Sequence, residues 1–216
     1  MTERYAIYYA PAAESALWRK AAEWLDQPDI ASLAASARRY GFHATLKAPM
    51  ALRDGTDRTA LLAAVEDFAR DHGAVGMGAV GAHLIDGFLA LTPVRQPQAL
   101  TDFATEVVKA FEPLRAPLSA DDRARRLKAP LTPRQIELLD AWGYPYVLEE
   151  FQLHMTLTDR LAAERRPALQ ARAAEWFADA LALPLTLDRL VVSHEAAPGA
   201  PFRRLDGDFL LKGPLT

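Results

Sequence analysis

Gly41-Phe42-His43-Ala44-Thr45-Leu46-Lys47-Ala48 is the stretch on which the fold turns. Apolar and polar residues alternate through it, and strand side chains alternate between two faces. Phe42, Ala44, Leu46 and Ala48 therefore belong to a core, and His43, Thr45 and Lys47 to the opposite face. A second stretch repeats the arrangement, Phe151-Gln152-Leu153-His154-Met155-Thr156-Leu157-Thr158-Asp159-Arg160. Here Gln152, His154, Thr156 and Thr158 share one side, with Arg160 joining them if the strand runs on, and Phe151, Leu153, Met155 and Leu157 share the other. Each strand shows an imidazole, a hydroxyl and then a cation on one face.

Working outward, Arg4 to Ala10 alternates and reads as a strand ended by Pro11. Leu17, Ala21, Trp24 and Leu25 stand at helical spacing within Glu14 to Asp26. The first motif is read as a strand over Tyr40 to Pro49. Asp57 opens a helix that runs to about His72, with Leu61, Leu62, Val65 and Phe68 on one stripe. Gly73 to Leu84 and Phe88 to Pro93 read as two strands joined near Asp86-Gly87, a hairpin dipeptide. Pro97 to Phe111 reads as a helix. The proline-rich stretch from Arg115 to Glu150 reads as short helices and loops, not as a separate domain. Leu161 to Leu181 is helical with Pro167 near its first turn, and Leu185 to His194 and Phe202 to Lys212 are strands. Both halves thus run through a His-x-Thr-Leu strand, a helix, a strand and an Asp-Gly turn with an apolar run, as expected of a diverged duplication.

The polar faces suit phosphodiester chemistry. One neutral imidazole takes a proton from water or an attacking hydroxyl, and the other, protonated, gives one to the leaving oxygen. Thr45 and Thr156 can donate to the non-bridging oxygens, and Lys47 or Arg160 can balance the developing charge. This set needs no metal and no other cofactor. One His-x-Thr carries little weight, but two of the five histidines have it, both with Leu next and an apolar back face.

The two motifs, Phe42-His43-Ala44-Thr45-Leu46 and Leu153-His154-Met155-Thr156-Leu157, resemble those of the 2H phosphoesterase superfamily. Tyr40 to Pro49, with Trp142-Gly143-Tyr144-Pro145-Tyr146 and Phe151 to Leu157, resembles more narrowly the DUF1045 group, associated with phosphonate metabolism. The resemblance covers nearly the whole chain. It implies an α+β fold, one two-lobed pseudo-duplicated domain over residues 1–216, with antiparallel sheets, helices packed outside and one His-x-Thr from each lobe facing a central cleft. It also implies a small cyclic phosphate or phosphodiester of a sugar or nucleotide as substrate. Two other functions stay open: a phosphate-ligand sensor that lost turnover, and a structural partner of a phosphonate-processing complex.

Tyr8 and Tyr40 are candidates for the cleft lining, although aromatic strand residues are more often core. Trp142, Tyr144 and Tyr146 either stack on a ligand or brace the loop before the second motif, and bracing is the reading favoured here. Arg123, Arg125, Arg126 and Lys128 read as a solvated helix face that can also recruit an anion, with Arg126 as the substrate-binding candidate. His72 suits a helix C-terminus, and His83 and His194 end strands. No His spacing fits a zinc site.

Composition bounds the partners. Half of the 216 residues are hydrophobic, enough for a real core. The net charge of −3 and the pI near 6.0 disfavour binding to long nucleic acid. The absence of cysteine removes disulfides and thiolate chemistry. Met1 to Ala10 does not read as a signal peptide, and no stretch of about 18 apolar residues suggests a membrane span. A cytoplasmic monomer is expected.

Overall fold

In the computed structural model, which describes residues 3–213, the chain runs through β1 (Arg4–Tyr9), α1 (Ala16–Asp26), α2 (Pro28–Ala31), α3 (Ala35–Tyr40), β2 (Ala44–Met50), α4 (Arg58–Asp71), β3 (Val75–Gly78), β4 (Val80–Ile85) and β5 (Phe88–Pro93). It continues through α5 (Gln98–Phe111), α6 (Ala120–Arg126), α7 (Pro133–Trp142), β6 (Met155–Arg160), α8 (Arg166–Phe177), β7 (Leu185–Leu187), β8 (Arg189–Glu195), β9 (Arg203–Arg204) and β10 (Phe209–Leu210). The helix starts follow local chemistry. Ser15 and Asp57 cap α1 and α4 by accepting from the Trp18 and Ala60 amides, and Thr132 and Gln135 form a capping box on α7.

The first sheet has the order β10-β8-β1-β2, with β9 also on β8, and the second has the order β4-β5-β6. A pair, β3 with β7, lies between them in sequence and is antiparallel. The assignment is α+β with antiparallel sheets. Helices pack on both sheets, and α3 also lies against β6. Helix α4 packs on β8 and β10 and α5 on β2, whereas α8 packs on β4 and β5 and α1 on α8 and β6. Trp24 of α1 has no exposed surface and donates from Nε1 to the Leu157 carbonyl at 3.2 Å, tying that helix to the second motif strand. Fully burying an aliphatic or Phe side chain stabilises by about 1.5–3 kcal/mol, so the helix-covered faces hold the sheets in place.

The internal repeat differs from the expected one in its last step. One unit runs β1-α1-β2-α4-β3-β4 and the other β5-α5-β6-α8-β7-β8. Each unit lends its final strand to the other sheet: β4 pairs with β5, and β8 pairs with β1. The helices α1 and α5 are exchanged in the same sense. The counterpart of β5 is therefore β1. The Asp206-Gly207 turn sits between two short strands at the edge of the first sheet and has no partner in the second. Three boundaries also shift. Gly73–Leu84 is two strands that join different sheets, parted where Gly78 takes a φ of +70°. Leu185–His194 divides into β7 and β8. Phe202–Lys212 holds only the two-residue strands β9 and β10.

Candidate active site

Tyr40 closes a helix rather than opening a strand, and Gly41 turns the chain with a φ of +77°. That left-handed region is open to glycine at little cost. The turn brings the Gly41 carbonyl back to His43, whose Nδ1 lies 2.8 Å from it. In the second motif His154 Nδ1 lies 2.8 Å from the Gln152 carbonyl. A carbonyl oxygen has no proton to give, so in both rings Nδ1 carries the hydrogen and Nε2 faces outward as the reactive nitrogen. Both histidines immediately precede their strands, β2 and β6. His43 Nε2 is 3.2 Å from Thr45 Oγ1. Its ring stacks on buried Tyr8 at 3.8 Å between centroids, while Phe88 meets His154 edge-on at 5.7 Å.

Beyond each threonine the register shifts, by one residue in the first strand and by two in the second. Tyr8 pairs with Thr45, but Ile7 pairs with Lys47, where an unbroken ladder would give it Leu46. The extra residue is a β-bulge, which re-aims the side chains that follow. Lys47 does not line the cleft. It is 3% exposed, and its Nζ donates to Glu112 at 2.6 Å and to the Val108 carbonyl at 3.0 Å. In the second strand Ala90 pairs with Thr156 but Phe88 with Arg160, where an unbroken ladder would give it Thr158. Thr158 is thereby buried and accepts the Leu89 amide at 3.0 Å. Arg160 is exposed, lies against the Gly87 turn and does not border the cleft.

His43, Thr45, His154 and Thr156 face one cavity of about 540 Å³. Tyr8 and Tyr40 line it, with Tyr40 stacked on Phe202 at 4.9 Å. So does Arg126, whose guanidinium lies 5.2 Å from the centre of the Tyr144 ring. Tyr144 fits both readings weighed for it: it borders the cavity and, like Trp142, packs with Val108, Leu138 and Val147. The sequence reading missed several lining groups. Arg4 and Arg39 also line the cavity, and both pair with Glu195, a carboxylate with no exposed surface, at 2.5 and 2.6 Å. The Gly199 amide donates to the same carboxylate at 3.0 Å. One signal was available: Arg4 and Tyr8 are four apart on one strand and so share a face. Glu195 follows His194, which pairs with Glu3 and lies outside the cavity lining. His72 caps α4, and His83 bonds Thr92 at 2.7 Å. Among the described residues no group of three or more His, Asp or Glu is placed to hold a metal ion.

Burial disfavours the charged form of both cleft histidines. His43 is pushed down to about 4 by desolvation, against the Gly41 carbonyl, with the charge of a protonated His154 adding to the effect. His154 is also lowered by desolvation, against the Gln152 carbonyl. A folded-state pKa below the unfolded value means that the unfolded chain binds more protons over that interval. Stability held by neutral His43 is therefore full above pH 6.5 and is lost as pH falls toward 4. His43→Gln, which cannot titrate, is expected to gain on the order of 1–2 kcal/mol relative to wild type over that acid interval. Urea unfolding at pH 7 and pH 4.5 checks this; a constant difference between the two proteins would contradict it.

A family model described as "Protein of unknown function (DUF1045)" matches residues 45–203. The chain belongs to the DUF1045 family. Two curated relatives, from Janthinobacterium sp. (strain Marseille) and Laribacter hongkongensis (strain HLHK9), are each 37% identical over 92% and 93% of this chain. Both are named ribose 1,5-bisphosphate phosphokinase PhnN. The chain spans about half the length of these relatives, 49% and 50%. Among solved structures, Escherichia coli LigT in complex with 3′-AMP is similar at 13% identity and a TM-score of 0.47, over 98% of this chain and 99% of that one. Among the described residues no helix is long and apolar enough to cross a membrane.

Proposed function

We propose that this DUF1045 chain, as one two-lobed domain, is a phosphoesterase that opens a small cyclic phosphate, with His43 and His154 as its proton-transfer pair. The observation that carries this reading is the matched geometry of the two rings. Each has Nδ1 pinned by the carbonyl two residues earlier, so that two Nε2 atoms face one cavity beside two threonines. His43, held neutral more strongly, is the base: its Nε2 takes a proton from water as the water oxygen bonds to phosphorus. One phosphorus–oxygen ester bond breaks, and His154 Nε2 gives its proton to the departing alkoxide. The product is a phosphate monoester and a free hydroxyl. Thr45 and Thr156 donate to the non-bridging oxygens, where charge builds.

The substrate class we favour is a cyclic phosphate of ribose. The longer relatives carry the name of a kinase acting on ribose 1,5-bisphosphate, and ring opening of a ribose 1,2-cyclic phosphate can leave such a 1-phosphate. We assign the kinase step itself to the half of those relatives that this chain does not match. Nowhere does the chain contain Gly-Lys, so it has no G-x-x-x-x-G-K-[ST] loop to cradle nucleotide phosphates.

Turnover of ribose 1,2-cyclic phosphate in the presence of EDTA tests the reading through its pH profile. kcat/KM reports the free enzyme, so its rising limb is expected near pH 4, as His43 becomes neutral. Its falling limb is expected below pH 6.5, as His154 loses its proton. A bound anion favours both imidazolium forms, so the kcat profile should move to higher pH. A kcat profile displaced to lower pH, or activity lost on chelation, would count against the proposal.

A further inference from the structure

The cleft continues beyond its histidine end. Arg4, Arg125, Arg126, Pro49 and Pro198 border both the histidine cavity and a second hollow of about 480 Å³. None of His43, Thr45, His154 or Thr156 touches that second hollow. Along β1, Arg4 lies four residues before Tyr8, the ring stacked on His43, which is about 13 Å at the usual strand rise. On that face only Ala6 stands between them, and it is buried in a cluster with Phe202, whose ring lies 5.9 Å from the Arg4 guanidinium and 6.5 Å from the Tyr8 ring.

The charges at this end are unevenly met. Arg4 shares Glu195 with Arg39, and Arg125 pairs with Asp122. Arg126 has no carboxylate partner among the described residues, and its Nε is buried without a hydrogen bond. Instead it lies over Tyr144, with Arg4 and Arg125 close enough to oppose its charge and Asp122, which with Asp54 and Asp121 borders the second hollow, close enough to offset part of that opposition. A guanidinium cannot shed its proton, so this arrangement calls for an anion from outside the chain. The fork of a guanidinium matches the oxygens of a phosphate.

We propose that Arg126, with Arg4 and Arg125, forms a second anion site that holds a terminal phosphate monoester of the substrate. The molecule in the cleft then carries two phosphates: the ester attacked between the histidines, and one clamped at the arginine end. The inference rests on the phosphoesterase reading for the first phosphate but not for the second. A substrate with this pattern is a cyclic phosphate of a sugar that is also phosphorylated at its far end.

Two measurements test it. The first compares kcat/KM for ribose 1,2-cyclic phosphate with and without a 5-phosphate. The 5-phosphate is expected to raise the value roughly 10- to 100-fold, and R126Q and R126K should erase most of that gain. An equal loss on both compounds would place Arg126 on the reacting phosphate and overturn the proposal, as would no gain from the 5-phosphate in the wild type. The second is calorimetric binding of ribose 5-phosphate to a protein carrying H43A and H154A, which needs no turnover. Adding R126Q, with circular dichroism to show that the fold is kept, should weaken binding at least about tenfold. Unaltered binding overturns the second site. Binding that depends on Arg126 in a protein that turns over neither compound supports the anion site while the catalytic reading fails.

Discussion

Replacing either His43 or His154 with alanine is expected to lower kcat/KM for a ribose cyclic phosphate by roughly 10²- to 10⁴-fold, the range for a positioned acid or base. The size of the effect follows from the way each ring is held. Nδ1 is committed to a carbonyl at 2.8 Å in both, which leaves Nε2 as the nitrogen that faces the cavity. Alanine removes that nitrogen with little effect on the strand, because both residues lie just outside β2 and β6. Groups that act as a unit are not additive, so the double variant should fall close to the worse of the two single ones. Steady-state kinetics on the three variants checks this. Two losses that multiply would mean independent roles rather than one shared proton-transfer path.

The second large effect is on stability. Glu112→Ala should destabilise the protein by about 3–5 kcal/mol, the usual cost of stranding one partner of a buried pair. Lys47 is 3% exposed, and without Glu112 its ammonium would keep only the Val108 carbonyl. Arg115 would lose the same carboxylate, which it contacts through both Nε and a terminal nitrogen. Burial pushes the Lys47 pKa down, so part of the penalty can be relieved by deprotonation. Lys47→Met should behave differently. An apolar side chain of similar length replaces a cation whose burial costs as much as its pairing returns, and the change should lie within about 1.5 kcal/mol of wild type. Activity should persist in Lys47→Met, since the side chain does not reach the cavity. Chemical denaturation together with a turnover assay reads both outcomes. A stable Glu112→Ala, or an inactive but folded Lys47→Met, would return Lys47 to the substrate.

Lys47 also marks where sequence ceases to be legible. Alternation placed His43 and Thr45 on one face and Phe42, Ala44 and Leu46 in the core, because a strand has a period of two. It then carried Lys47, Thr158 and Arg160 along on the same face. A bulge adds residues to one strand only, one at Leu46-Lys47 and two beyond Thr156, and no residue type at either place announces it. The helix start at Asp57 was readable because a cap is local chemistry. The arginine end was not. Arg4, Arg39 and Arg126 come from three distant segments, and only the folded sheet brings the first two to Glu195. The repeat was legible through strand, helix and strand, since these are consecutive. The exchange of β4 and β8 between sheets is a matter of topology, which order along the chain does not encode.

The most direct test of the histidine pair is phosphorus NMR of the wild-type protein with ribose 1,2-cyclic phosphate 5-phosphate in EDTA. The cyclic phosphate resonance is expected to give way to that of a monoester, while the protein with H43A and H154A leaves it in place. A cyclic resonance that persists with wild type, or that disappears equally fast with the double variant, would contradict it.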